Sequence, residues 1–410
     1  MSHDRKQSGF KQRTRVDEAL TALREVVDPH GRVERVPLPA ADGRTLAATL
    51  SAPASVPPVP EAAMDGFAVR ATDTFGASDR SPELLRAVEG DPTAAQVGPG
   101  EALRVHTGSA LPEGADAVVM IEQTETVGGE VELFDAVAEG ENVAPAGEDV
   151  AEGQKLYDPG AVLRPSDLGL LKSVGFAEVP VFEKPVVTVI PTGEELVQED
   201  PGPGETIETN GLTAARFVER WGGEPTKLAP VDDDEDALAA AIRSGLDGDI
   251  VVTSGGSSVG ERDLLPEVLA EMGEILVHGI ALKPGHPFGF AVVEDTPVLM
   301  LPGYPVASII NAVQFLRPAV KDAMDAPLPD HPTTEARLER KIASEPGVRT
   351  FARVRLSEED GRPVATPTRV SGSGVLSSVA LADGWVVVDE ASEGIDAGEA
   401  VAVQNWEATL

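Results

Sequence analysis

From Lys184 to Asp325, short apolar runs alternate with helix-patterned stretches, and this alternation constrains the fold more than any other feature of the chain. PVVTVI, TKLAPV, DIVVTSGG and TPVLMLPG read as strands, while GLTAARFVERWGG, DALAAAIRSGL, LLPEVLAEM and PVASIINAVQFLRPAV carry apolar residues at helical spacing. Taken in turn, they predict a parallel sheet covered on both faces, a three-layer α/β domain. Ligands on such sheets bind beyond the carboxyl ends of the strands. The loops PTGEE, TSGGSSVG and LPGYP all fall at that edge.

The flanking sequence has a different rhythm. After a helix from Val16 to Val26, short β segments such as RVERVPLP, EALRVHTG and ADAVVMIEQTE are punctuated by Gly, Pro and Asp. Beyond Pro327, FARVRLS, GRPVATPTRV and GWVVVDE alternate like antiparallel strands of a small barrel-like domain. A chain of 410 residues exceeds one ordinary core. The expected division is a tail at 1–15, a discontinuous linker domain at 16–55 and 140–180, an inserted β-rich domain at 56–139, the α/β domain at 181–327, and a closing β domain at 328–410.

Composition narrows the function classes. With 69 acidic against 33 basic residues the net charge is −36, which excludes a general nucleic-acid surface built on clustered cations. Screening in concentrated salt makes such a surface tolerable, so halophilic adaptation is the simplest account, and a lone surface carboxylate says little. No apolar run approaches the roughly 20 residues that span a bilayer. The opening MSHDRKQSGFKQRTR is polar and basic, unlike a secretory signal. The absence of cysteine removes disulfides and thiolate metal sites, and a cytoplasmic location is expected.

Several loops combine groups that suit a phosphorylated ligand and a divalent ion. In TSGGSSVGERD, Ser254, Gly255, Gly256, Ser257, Ser258 and Gly260 offer hydroxyls and backbone N–H groups for an anion, although Asp263 also suits a helix cap. Glu194 and Glu195 in PTGEEL, the run Asp232 to Asp236, and Asp263 follow strands of one sheet. Acidic residues at helix starts complement the helix dipole by themselves. Carboxylates gathered beside an anion nest make chemical sense when Mg²⁺ lies between them and phosphate. Lys283 precedes a Pro-Gly turn that aims its ammonium, with His286 three residues on as a donor, a titrating group or a turn residue. LPGYP is equally well explained as a tight turn, and the turns holding Asp65–Gly66 and Thr107–Gly108 carry no chemistry as bare patterns.

In order along the chain, AMDGFAV, HTGSALPEGADAVVMIEQTE, GENVAPAGEDV, PTGEEL, TNG, SGGSSVGERD, LKPGHPF, LPGYPVAS and SGSGVLSSVALADG resemble the molybdopterin molybdenumtransferases related to the gephyrin E domain. The resemblance implies four domains, a homodimer, and a reaction in which adenylylated molybdopterin and molybdate give molybdenum cofactor and AMP with Mg²⁺. It implies catalytic roles for Asp65, Thr107, Glu195, Asp234, Asp263 and Lys283, with Glu195, Asp234 and Asp263 holding the metal. Asp65 and Thr107 would come from the partner subunit. Ligand contacts would come from Thr192, Gly193, Asn210, Ser254, Gly255, Gly256, Ser257, Ser258, Gly260, Pro284, Gly285, His286, Pro302, Gly303, Ser371 and Ser373. The molybdopterin adenylyltransferase and molybdoenzymes would be further partners; nucleic acid and membrane would not.

The chain departs from the family pattern at four places. VPEA stands where an Asp-Asn-Ser is usual, SGGSSVG replaces SGGVSVG, His286 replaces a second lysine, and Tyr304 replaces an asparagine. A tungstate-preferring insertase and a non-catalytic molybdopterin-binding scaffold are the alternative readings.

Overall fold

The computed structural model describes residues 13–255, 264–369 and 374–406, and the chain divides into two compact units, 35–181 and the remainder. The larger unit contains a six-stranded sheet. Its elements are β1 (Val186–Pro191), α1 (Asn210–Arg220), β2 (Glu224–Lys227), α2 (Glu235–Gly245), β3 (Ile250–Ser254), α3 (Leu264–Met272), β4 (Glu274–His278), β5 (Gly289–Val293), β6 (Thr296–Leu301) and α4 (Pro305–Asn311).

The strand order is β2-β1-β3-β6-β5-β4. The first four strands are mutually parallel, with Val187 opposite Ile250 and Val251 opposite Val298. The last two break the expected all-parallel pattern, because β5 runs antiparallel to β6 and β4 antiparallel to β5. The hairpin joining β5 to β6 turns on Glu294 (φ 49°) and Asp295 (φ 70°), two left-handed residues without the usual glycine. That missing signature hid β5 from the periodicity reading.

Both faces of the sheet are buried. Ile250 and Val252 pack with Ala214 and Val218 of α1, while Val251 packs with Leu238 and Ile242 of α2 and Leu265 and Leu269 of α3. This is period-two alternation inside a continuous apolar strand, and it yields the three expected layers. Each buried Val, Ile or Leu contributes about 1.5–3 kcal/mol relative to exposure. The first helix, Val16–Arg24, joins this core through Val16, Ala19 and Leu23. That apolar stripe packs against the helical segments at 312–322.

In the same unit, Thr333–Leu338, Arg349–Glu359, Arg362–Arg369, Gly384–Val388 and Ala400–Asn405 close into a five-stranded barrel. A short strand from the α/β part, Leu282–Lys283, adds to it in parallel, placing Leu282 opposite Arg349 and Lys283 opposite Thr350.

The unit at 35–181 has a six-stranded sheet in the order Ala117–Met120, Gly66–Val69, Glu101–Val105, Glu83–Val88, Glu130–Leu133, Thr124–Val127. A separate core joins Leu38, Leu46 and Leu50 to Leu163, Leu171 and Val179. The chain leaves that core, builds the sheet and returns. Among the described residues no helix is long and apolar enough to cross a membrane.

Candidate functional site

A cavity of about 520 Å³ opens at the carboxyl edge of the sheet, where β1, β3 and β6 end. Thr192, Gly193 and Glu195 line it from the loop after β1, Ser254 and Gly255 from the end of β3, Gly303 and Tyr304 from the turn after β6, and Asn210 from the start of α1. The loops are tied together by backbone. Thr192 N–H donates to Ser254 O at 3.0 Å, and Asn210 Nδ2 donates to Gly303 O at 2.8 Å. Gly255 has φ +119°, and a Cβ there would meet the Thr192 carbonyl oxygen at 2.1 Å, so only glycine lets these two loops close up.

Two hydroxyls are left over. Thr192 is 1% exposed and Ser254 2%, and neither Oγ has a hydrogen-bond partner among the described residues. A buried unmade hydrogen bond costs roughly 1–3 kcal/mol, and a ligand donor or acceptor in the cavity removes that cost. The Gly255 amide is not part of such a reserve. It donates to Leu301 O at 3.2 Å, so this residue of the expected anion nest is spent on the sheet.

The wall carries Glu195, Glu208 and Asp233, with no Lys, Arg or His among the described lining residues. Glu208 escaped the sequence reading. Its Oε1 accepts from Gly211 N–H at 2.5 Å, securing the first turn of α1, and Oε2 lies 3.0 Å from Lys227 Nζ. An acidic residue three before an N-terminal helical amide was the available signal. Asp233 is disfavoured as an anion. Burial raises its pKa above the ordinary range, and the charges of Glu195, Glu194 and Asp232 raise it further.

Asp234, expected among the catalytic and metal-binding residues, sits elsewhere. It is the N-cap of α2, its Oδ1 accepting from Ala237 N–H at 3.0 Å, and Asp233 takes the place on the wall. The helix begins at Glu235, so the capping geometry selects the aspartate immediately before it. Among the described residues, no three His, Asp or Glu side chains stand ready-made around a metal position.

Lys283 is not on the cavity lining; its Nζ pairs with Glu345 Oε1 at 2.8 Å. An exposed pair of this kind adds little stability and is readily exchanged for another anion. Pro284 and Gly285 form the turn that follows. A Cβ on Gly285 would strike Asn311 Nδ2 at 2.2 Å, and that amide donates to Gly285 O at 3.0 Å. His286 does not replace the missing lysine as a cation. Burial, then the neighbouring Arg13 charge, holds its pKa below the usual imidazole value, so it is neutral at pH 7. Pro302 is buried where the chain leaves β6.

In the unit at 35–181, Asp65 and Thr107 meet as a pair. Thr107 N–H and Oγ1–H both donate to Asp65 Oδ1, at 2.8 and 2.9 Å, with His106 Nδ1 3.7 Å from Oδ2. These donors, the Thr107 amide foremost, lower the pKa of Asp65. Gly256, Ser257, Ser258, Gly260, Asp263, Ser371 and Ser373 lie outside the described residues.

An α/β sheet with a ligand cavity at its strand ends, joined to a five-stranded barrel, defines a multidomain ligand-binding protein of the α/β class. Comparison with known families makes the assignment specific. Residues 14–175 match the MoeA N-terminal region (domains I and II), 188–360 a probable molybdopterin-binding domain, and 335–406 the MoeA C-terminal region (domain IV). A putative molybdopterin biosynthesis protein of Methanocaldococcus jannaschii is 36% identical, over 93% of this chain and 94% of its own. Molybdopterin molybdenumtransferase 2 of Mycobacterium tuberculosis is 33% identical, over 91% and 95%. The crystal structure of the molybdopterin biosynthesis MoeA protein from Pyrococcus horikoshii OT3 superposes with a TM-score of 0.83 at 32% identity, covering 96% of this chain and 100% of that one. The chain belongs to the MoeA family of molybdopterin molybdenumtransferases.

Proposed function

We propose that this protein is a molybdopterin molybdenumtransferase that takes adenylylated molybdopterin and molybdate to molybdenum cofactor and AMP. The observation that carries the reading is the strand-end cavity, with two buried hydroxyls lacking partners among the described residues beside converging carboxylates. Thr192 and Ser254 would hydrogen-bond the bound nucleotide, and Asn210 holds the turn at Gly303 in position.

The acidic wall fits a divalent cation. Burial, and then the charges of Glu195, Glu194 and Asp232, disfavour ionised Asp233, and a positive ion offsets that penalty. Glu195 and Asp233 would hold Mg²⁺ together with Asp263. The ion would supply electrostatic stabilisation of the charge that develops on phosphoryl oxygens as the pterin–AMP diphosphate is cleaved. Lys283, released from Glu345, offers an ammonium for the incoming oxyanion. Asp65, kept ionised by Thr107, would complete the site from the second subunit of a homodimer. The net charge of −36 suits work in concentrated salt.

The test is incubation with adenylylated molybdopterin, Mg²⁺ and either molybdate or tungstate, following AMP release and metal retained on the pterin. Molybdate-dependent AMP release with retained metal is the expected result. Release of AMP without retained metal, or no release at all, rejects the transferase; retention of tungstate alone selects the tungstate enzyme.

A further inference from the structure

Tyr304 is one of two tyrosines in the chain and is 60% exposed, whereas Phe288, Phe290, Phe315 and Trp221 are buried. It is also the one aromatic residue among the described residues that line the cavity. Its position is fixed by the backbone. Gly303 precedes it, Pro305 opens α4 directly after it, and Ser308 N–H donates to its carbonyl at 2.9 Å. Gly374 lies beside the ring, where a Cβ would stand 3.5 Å from Tyr304 Cδ1. Ile207, 44% exposed, adds an aliphatic group to the same lining, with Leu196 and Leu264.

The cavity thus combines apolar groups, unpartnered hydroxyls and carboxylates without a cation among its described lining residues. A bare phosphate is poorly served by such a set. A flat, uncharged nitrogen heterocycle is well served, because its N–H edge can donate to carboxylate and hydroxyl oxygen while its face stacks on an aromatic ring.

We propose that Tyr304 is a specificity-determining residue, the stacking platform for a planar nitrogen heterocycle of the substrate. The proposal rests on the reading of this cavity as the site for adenylylated molybdopterin, which carries two such rings, a pterin and an adenine. The platform takes one of them.

The test measures binding of free pterin and of AMP to the full-length protein and to its Tyr304→Phe and Tyr304→Ala variants by calorimetry. Stacking of a base on an aromatic side chain predicts at least about a fivefold weaker affinity for one of the two probes in Tyr304→Ala. Tyr304→Phe keeps the ring and is expected to stay within about twofold of the parent. Loss confined to pterin assigns the platform to the pterin, and loss confined to AMP assigns it to adenine. Unchanged affinity of Tyr304→Ala for both probes overturns the proposal, as does failure of the parent protein to bind either. Parallel assays of molybdate-dependent AMP release separate the two readings. Turnover by the parent with undiminished ring binding in Tyr304→Ala removes the platform alone. Ring binding that depends on Tyr304 in a protein without turnover removes the transferase reading alone.

Discussion

Asp65 and Asp233 are the same side chain in opposite surroundings. Asp65, half exposed, receives two hydrogen bonds from Thr107, which favour its charged form. Asp233 is part-buried on a wall shared with Glu195, near Glu194 and Asp232, and its charged form is disfavoured. The first arrangement stabilises a fixed negative charge. The second leaves a charge in need of a proton or a cation, which is how a site for a soluble ion differs from a site for a permanent anion.

The largest effect should come from removing the fixed charge. Asp65→Asn is expected to lower kcat/KM for molybdate-dependent AMP release by about 100-fold or more, with an unchanged melting temperature because the side chain is exposed. Near-parental activity would break the contrast. Cation binding probes the other member. Saturating Mg²⁺ should raise the melting temperature by a few degrees at pH 7.5, following mass action on a native-state site, and Asp233→Asn should abolish most of that rise. An equal rise in the variant would place the ion elsewhere.

Smaller effects sharpen the comparison. Thr107→Val removes one of the two donors to Asp65, so the acidic limb of the kcat/KM profile should move to higher pH, with about a three- to tenfold loss near neutrality. A limb that stays put would remove Thr107 from the control of Asp65. The least effect is on stability without metal. The folded pKa of Asp233 lies above its unfolded value, so protonation favours folding, and stability is lost as pH rises through the folded pKa. Asp233→Asn should therefore be slightly more stable than the parent at pH 7, measured by denaturant midpoint, and should lose that advantage below pH 4. A variant that is less stable at pH 7 would assign Asp233 a partner in place of repulsion.

The convergence of PTGEE, TSGG and LPGYP on one edge was legible in the sequence, because parallel strands deliver every following loop to the same side. Asp65 and Thr107 were legible only through family resemblance, since nothing local says that residues 42 apart share a hydrogen bond. Which aspartate of Asp232, Asp233 and Asp234 faces the cavity depends on the first helical residue, a one-residue matter that composition does not resolve. Glu208 was hidden for a different reason. Its partner Lys227 lies on the next strand, so the pair exists only once β2 is laid beside β1. The hairpin at Glu294–Asp295 was invisible because carboxylate side chains occupy backbone positions normally announced by glycine.

The short strand Leu282–Lys283 has a consequence for the chain as a whole. Its hydrogen-bonding neighbour, Arg349–Thr350, belongs to the barrel, so Lys283 is moored to a domain more than sixty positions downstream. Severing the barrel would cast that lysine adrift, so the last domain governs where its ammonium can reach.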